Sequence, residues 1–322
     1  MSATRIRVLV PGKINQRVID RLAERFEVVR IESADPVPVS AQMQDVRAIA
    51  VSGRVPAALM DALPQLEIIA NFGVGYDGVE VGHAAAKGIT VSNTPDVLTE
   101  EVADTAIGLL LNTLRQLPQA EQWLRRGRWS REGAFPLSPL SLRGRTVGLY
   151  GLGRIGLAIA KRLEAFGVSI AYHTRSPREG LAYAYHPTLA GLAAAVDTLV
   201  VIVPGTEVTQ RTVNDEVLSA LGSNGVLINV GRGSTVDEPA LIKALRTGVI
   251  AGAGLDVFEN EPQVPEALMA LPNVSLLPHV ASASVATRNA MADLVADNIA
   301  AWFETGKALT PVPETPFTRR GA

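Results

Sequence analysis

The sequence predicts an α/β protein built from two parallel-sheet domains, and three observations carry that prediction. Short β-branched runs alternate with amphipathic stretches along the chain, the pattern of parallel strands covered by helices. A glycine-rich strand-to-helix turn opens a second run of strands after Thr146, which by itself has the content of a dinucleotide-binding sheet. With 322 residues, 47% of them hydrophobic, the chain has material for two cores.

Taken in order, the first hundred residues read as strands near 6–10, 28–31, 48–51, 68–71 and 89–92, with helices near 15–25, 57–63 and 81–87. Residues 94–129 read as one long helical stretch, with acidic residues at its start and apolar residues at helical spacing. A proline-rich loop, GAFPLSPLSLRG, follows. Six more strands are expected at 146–150, 168–172, 198–203, 225–230, 249–256 and 274–277. The proline-rich end, TPVPETPFTRRGA, reads as frayed.

The turn is Gly151-x-Gly153-x-x-Gly156, directly after the strand RTVGLY and at the head of the amphipathic helix IGLAIAKRLEAFG. In such a turn the first glycine allows the bend, the second lets backbone approach a pyrophosphate and the third packs helix on strand; Arg154 and Ile155 lie between them. An acid about 20 positions later normally accepts hydrogen bonds from the adenosine ribose. Here that place holds His173-Thr174-Arg175-Ser176. Arg175 can form charge-assisted bonds to a 2′-phosphate and Thr174 can donate or accept, so the cofactor predicted is NADP(H). Arg178 is either a second phosphate contact or a solvated arginine.

Composition excludes several classes. Thirty basic and 32 acidic residues are dispersed, leaving no electrostatic footprint for nucleic acid or an anionic membrane. Without cysteine there is no thiolate catalysis or cysteine-based metal site, and the four histidines lack metal-ligand spacing, so no metal is expected. The start, MSATRIRVLVPGK, reads as strand and turn rather than signal peptide, and the most apolar stretch is broken by Asp197 and Pro204-Gly205, so no membrane span and a cytoplasmic location are expected.

The motifs NFGVGYDGV (71–79), NTPDVLTEEVAD (93–104), GLGRIG (151–156), NVGRGSTVDE (229–238), GAGLDVFENEP (252–262) and LLPHVASAS (276–284) resemble, in this order, those of the D-2-hydroxyacid dehydrogenases. Within that family the chain looks most like the NADP-dependent glyoxylate/hydroxypyruvate reductases. The resemblance implies a flavodoxin-like substrate domain (1–98 and 286–322) and an inserted NADP-binding domain (99–285), with an arm at about 99–143 through which family members form homodimers. The implied chemistry is NADPH-dependent reduction of a small 2-oxo acid to the D-2-hydroxy acid.

The same resemblance implies a triad. Arg232, after the strand ending in NVG, would bind the substrate carboxylate and carbonyl, and a guanidinium fork suits that task. His279 would donate the proton, and Glu261, directly before Pro262, would hydrogen-bond the imidazole and stabilise its cationic form; Glu259 is not the family's glutamate. The amides of Val74 and Gly75 would hold the carboxylate, with Ser52 and Ser282 lining the substrate. Val203, Pro204 and Thr209 would lie near the adenosine, Val230 and Gly231 beside the cofactor, and Asp256 at the nicotinamide carboxamide. Trp129 or Phe135 would reach a partner's active site or pack at the dimer interface. Two alternatives stay open: a reductase of bulkier acids such as phenylpyruvates or 2-ketogluconate, and a non-catalytic dinucleotide-sensing protein.

Overall fold

The computed structural model describes residues 5–34 and 43–319, which divide into two compact units, Met1–Leu98 with Ser284–Ala322 and Thr99–Ala283. The first unit opens with β1 (Arg7–Pro11), α1 (Gln16–Ala23), β2 (Glu27–Ile31), β3 (Val46–Val51), α2 (Ala57–Asp61), β4 (Ile68–Asn71), α3 (Val81–Lys87) and β5 (Thr90–Ser92). All pairings are parallel, in the order β2-β1-β3-β4-β5. Strands covered on both faces need continuous apolar runs, and Leu9, Ile49, Val51, Ile69 and Val91 are buried in one cluster.

The second unit contains α4 (Thr99–Arg115), α5 (Leu117–Arg125), α6 (Arg128–Glu132), β6 (Thr146–Tyr150), α7 (Arg154–Glu164), β7 (Ser169–His173), β8 (Ala184–Tyr185), α8 (Leu189–Ala195), β9 (Thr198–Val201), α9 (Asp215–Leu221), β10 (Val226–Asn229), α10 (Glu238–Thr247), β11 (Gly252–Leu255), α11 (Glu266–Met269) and β12 (Val274–Leu276). Its sheet runs β12-β11-β10-β9-β6-β7-β8, again all parallel. Because β6 pairs with both β7 and β9, the loop after β6 sits where the winding reverses, the position at which open α/β sheets bind ligands. The buried Arg145 guanidinium ties the foot of β6 to its neighbours, donating to Thr198 Oγ1 at 2.7 Å and to the carbonyls of Asp197 and Asn224.

The chain then returns to the first unit as α12 (Val285–Thr305), whose Asp293 accepts from Arg17 and Arg21 of α1 at 2.7 and 2.6 Å and whose buried Trp302 donates to Glu67. The α/β class of two parallel sheets is as the sequence predicts, with three corrections of detail. The long helix of 94–129 is three helices, since Gln116 (φ 52°), Pro118 just after it and Gly127 (φ 66°) interrupt the α-helical path. The second sheet has a seventh strand, β8, whose two residues are too few for any periodicity to reveal.

The tail is also not frayed. Val312 is buried and donates to the Val91 carbonyl at 2.8 Å, while Thr315 Oγ1 accepts from the Val91 amide and Thr90 Oγ1 donates to the Pro316 carbonyl. These bonds satisfy the outer edge of β5, which as the last strand of its sheet would otherwise leave backbone groups unpaired. Residues 320–322 of that tail, and the first four residues of the chain, lie outside the described residues.

Candidate active site

The three glycines of the turn after β6 differ in what demands them. Gly151 has φ 99°, and a Cβ there would come within 2.9 Å of the Ile202 carbonyl; at Gly156 it would come within 2.6 Å of the Gly151 carbonyl. The fold itself therefore requires both. Gly153 has φ −74° and a Cβ would meet nothing within 4 Å, so neither backbone strain nor packing accounts for it. It is the N-cap of α7 with no side-chain cap, which leaves first-turn N–H groups facing an exposed turn, as anion binding needs. These residues fit a pyrophosphate. Arg154 is exposed and Ile155 half-buried in the first turn of the helix.

Beyond β7, Thr174 is half-buried and its hydroxyl donates to the Ser176 carbonyl at 2.6 Å, which leaves the hydroxyl oxygen able to accept. Arg175 and Ser176 are exposed on the same short loop, and Arg178 is exposed with its amide bonded to the Tyr172 hydroxyl. The loop after β9 is braced by Thr209, whose hydroxyl donates to the Pro204 carbonyl at 2.6 Å; Val203 meets Gly151 across the turn. Val230 and Gly231 are buried, and a Cβ at Gly231 would lie 2.9 Å from the Val203 carbonyl.

Arg232, His279 and Glu261 stand at strand ends of this same unit. Asn229, the last residue of β10 and almost fully buried, accepts from the Gly231 amide at 3.0 Å and donates to the Arg232 carbonyl at 2.9 Å, folding the turn that carries the arginine. Thr235 adds a 2.6 Å bond to that carbonyl. The Arg232 guanidinium donates to the Gly231 carbonyl and is half-buried. His279 has φ 52°, held there by its amide donating to the Asp256 carbonyl at 2.8 Å. Its Nδ1 lies 2.6 Å from Glu261 Oε2, and Glu261 Oε1 accepts from the Phe258 amide at 3.0 Å. Burial pushes the Glu261 carboxyl up, but the hydrogen bonds from His279 and Phe258 and the charges of His279 and Arg232 outweigh it and hold it below its usual range. Glu259 is turned away, paired with Arg211 at 2.6 Å.

The buried carboxylate of Asp256 is tied to the backbone after His279. Its two oxygens accept from the amides of Val280 and Ala281 at 2.7 and 3.0 Å, so it shapes the turn presenting His279. Burial raises its pKa, with those amides opposing. Ser282, on that turn, is half-buried.

In the first unit, the loop after β4 is fixed through its carbonyls. Asn71 Nδ2 donates to Gly75 O at 3.0 Å, Asn93 Nδ2 to Val74 O at 2.8 Å, and the Thr94 amide to Gly73 O at 2.9 Å. The amides of Val74 and Gly75 have no hydrogen-bond partner among the described residues, so two donors remain on a loop whose acceptors are taken. Ser52 is exposed and lines a groove at the ends of β1, β2 and β3 with Gly12, Ser33 and Arg54. In the arm, Trp129 is 63% exposed whereas Phe135 packs edge-on against Trp123. Sequence reasoning missed Asn229, Asn71 and Asn93; a buried asparagine at the end of an apolar strand is the signal that marks the first two.

Comparison with known proteins identifies the family. Residues 107–281 match the NAD binding domain of the D-isomer specific 2-hydroxyacid dehydrogenases. Glyoxylate/hydroxypyruvate reductase A of Arabidopsis thaliana is 48% identical over 95% of this chain and 99% of its own. Hydroxyphenylpyruvate reductase of Plectranthus scutellarioides is 46% identical over the same shares. Among solved structures, the NADPH-dependent glyoxylate/hydroxypyruvate reductase of Sinorhizobium meliloti in complex with NADP and malonate is 77% identical, with a TM-score of 0.98 over 99% of this chain and 100% of that one.

Proposed function

Because the chain belongs to the D-isomer specific 2-hydroxyacid dehydrogenases, we propose that it reduces glyoxylate and hydroxypyruvate to the corresponding 2-hydroxy acids with NADPH. The observation that carries this reading is the 2.6 Å His279–Glu261 contact beside Arg232. With Nδ1 given to Glu261, the proton to be transferred resides on Nε2. Arg232 binds the substrate carboxylate and carbonyl oxygen, stabilising charge as it develops on that oxygen, and His279 Nε2 protonates the alkoxide. Glu261, held ionised, keeps the imidazole oriented and stabilises its cation. When bound, NADPH supplies the hydride that reduces C2.

We assign the Val74 and Gly75 amides to the substrate carboxylate, with Ser52 and Ser282 as lining positions. The turn from Gly151 to Gly156 holds the pyrophosphate, with Val203, Pro204, Thr209, Val230 and Gly231 along the cofactor, and Thr174, Arg175 and Ser176 hold the 2′-phosphate. Asp256, which also shapes the turn presenting His279, is assigned to the nicotinamide carboxamide. The assembly is a cytoplasmic homodimer formed through the arm, which displays the exposed Leu117, Leu124, Trp129 and Leu137; no helix among the described residues is long and apolar enough to cross a membrane. A panel of 2-oxo acids scored by kcat/KM tests the substrate. Glyoxylate and hydroxypyruvate rank above phenylpyruvates and 2-ketogluconate; the reverse order assigns the chain to bulkier acids.

A further inference from the structure

The Val74 and Gly75 loop is held by a chain of polar groups, half-buried at Asn93 and Thr310 and buried at Asn298, that reaches the far end of the sequence. Asn298 of α12 is fully buried, and its Nδ2 donates to Thr310 Oγ1 at 2.9 Å while its Oδ1 accepts from the Thr310 amide at 2.9 Å. Thr310 Oγ1 in turn donates to the Asn93 carbonyl at 2.6 Å, and the Asn93 amide donates to the Thr310 carbonyl at 3.2 Å. Asn93 Nδ2 then donates to Val74 O at 2.8 Å, the carbonyl beside the two amides that have no acceptor among the described residues. The tail is pinned independently on the other side, where the Tyr76 hydroxyl lies 3.2 Å from both oxygens of Glu314.

An asparagine side chain buried to this extent requires its partners, and every link here has one on both sides. We propose that Asn298, Thr310 and Asn93 are positioning residues that preorganise the Val74 and Gly75 amides for an anionic carboxylate, so that the C-terminal tail sets substrate affinity without touching substrate. The inference rests on the reading of those amides given above. Preorganised donors lose affinity when their support relaxes, whereas the groups performing the chemistry lie in the other unit and are unaffected.

The test compares Thr310→Val, which keeps shape but removes the hydroxyl, with Asn93→Ala, which removes the donor to Val74, and with Thr310→Ser, which retains the hydroxyl. Calorimetric titration of malonate, an inert dicarboxylate, is run beside steady-state kinetics. Thr310→Val and Asn93→Ala each weaken malonate and raise KM for glyoxylate by about tenfold, with kcat changed much less and KM for NADPH unmoved, and Thr310→Ser restores the wild-type values. Unchanged malonate affinity in both variants, a parallel rise in KM for NADPH, or failure of Thr310→Ser to restore binding would each overturn the proposal. Malonate binding by wild-type protein that never turns over glyoxylate overturns instead the reductase reading.

Discussion

Two strand-end loops, the glycine turn after β6 and the loop from Phe72 to Gly75 after β4, both carry the backbone donors proposed above to meet an anion but are built by different means. The glycine turn is local: Gly151 and Gly156 are demanded by contacts inside a few residues and one neighbouring strand, and Gly153 is left over for the ligand. The other loop has a local brace in Asn71 but is otherwise held from outside, by Asn93 just after β5 and through it by Thr310 and Asn298. A loop built locally announces itself in the sequence; a loop held by distant residues does not.

The largest expected effect lies in the chemistry both loops serve. His279→Ala and Arg232→Ala each lower kcat/KM by roughly 10²–10⁴-fold, with thermal stability little changed because both side chains lie at exposed or half-buried strand ends; retained turnover in either variant removes that residue from the mechanism.

Next come the two glycines that the comparison sets apart. Gly151→Ala places a Cβ at φ 99° against backbone and destabilises by about 1–3 kcal/mol, measured by denaturant unfolding. Gly153→Ala leaves stability unchanged but weakens NADPH by roughly tenfold or more, about 1.4 kcal/mol. If Gly153→Ala binds NADPH normally, the division between fold-demanded and ligand-demanded glycines is wrong.

Arg175→Ala is a step of similar size, since one charged contact contributes about 1.5–3 kcal/mol; the ratio of kcat/KM for NADPH over NADH falls by roughly 10- to 100-fold. The smallest effect is in pH dependence. The Glu261 carboxyl titrates below its usual value in the folded chain, so its contribution to stability is present above the ordinary glutamate pKa, about 4.3, and is lost as pH falls through the depressed folded value. The difference in melting temperature between wild type and Glu261→Gln is therefore greatest near neutral pH and shrinks in acid. A constant difference across that range contradicts the ionised assignment.

Legibility followed the same division. Strands 68–71 and 146–150 and the glycine turn were readable because buried parallel strands and tight turns restrict composition within a few residues. The two-residue β8 has no period, and the breaks at Gln116 and Gly127 sit inside a run whose apolar spacing continues across them. The tail looked frayed because proline and threonine read as loop, yet what orders it is the unpaired edge of β5, some 220 residues earlier. The Arg232, Glu261 and His279 set came from resemblance; the structure adds why it holds together, through Asn229 and Asp256 at the ends of β10 and β11.

The most direct test of the central claim is NADPH oxidation by the purified protein, followed by absorbance with glyoxylate as sole acceptor and repeated with NADH. The account predicts glyoxylate-dependent oxidation with a clear kcat/KM preference for NADPH. Tight NADPH binding with no reduction of glyoxylate or hydroxypyruvate, or a preference for NADH, would contradict it.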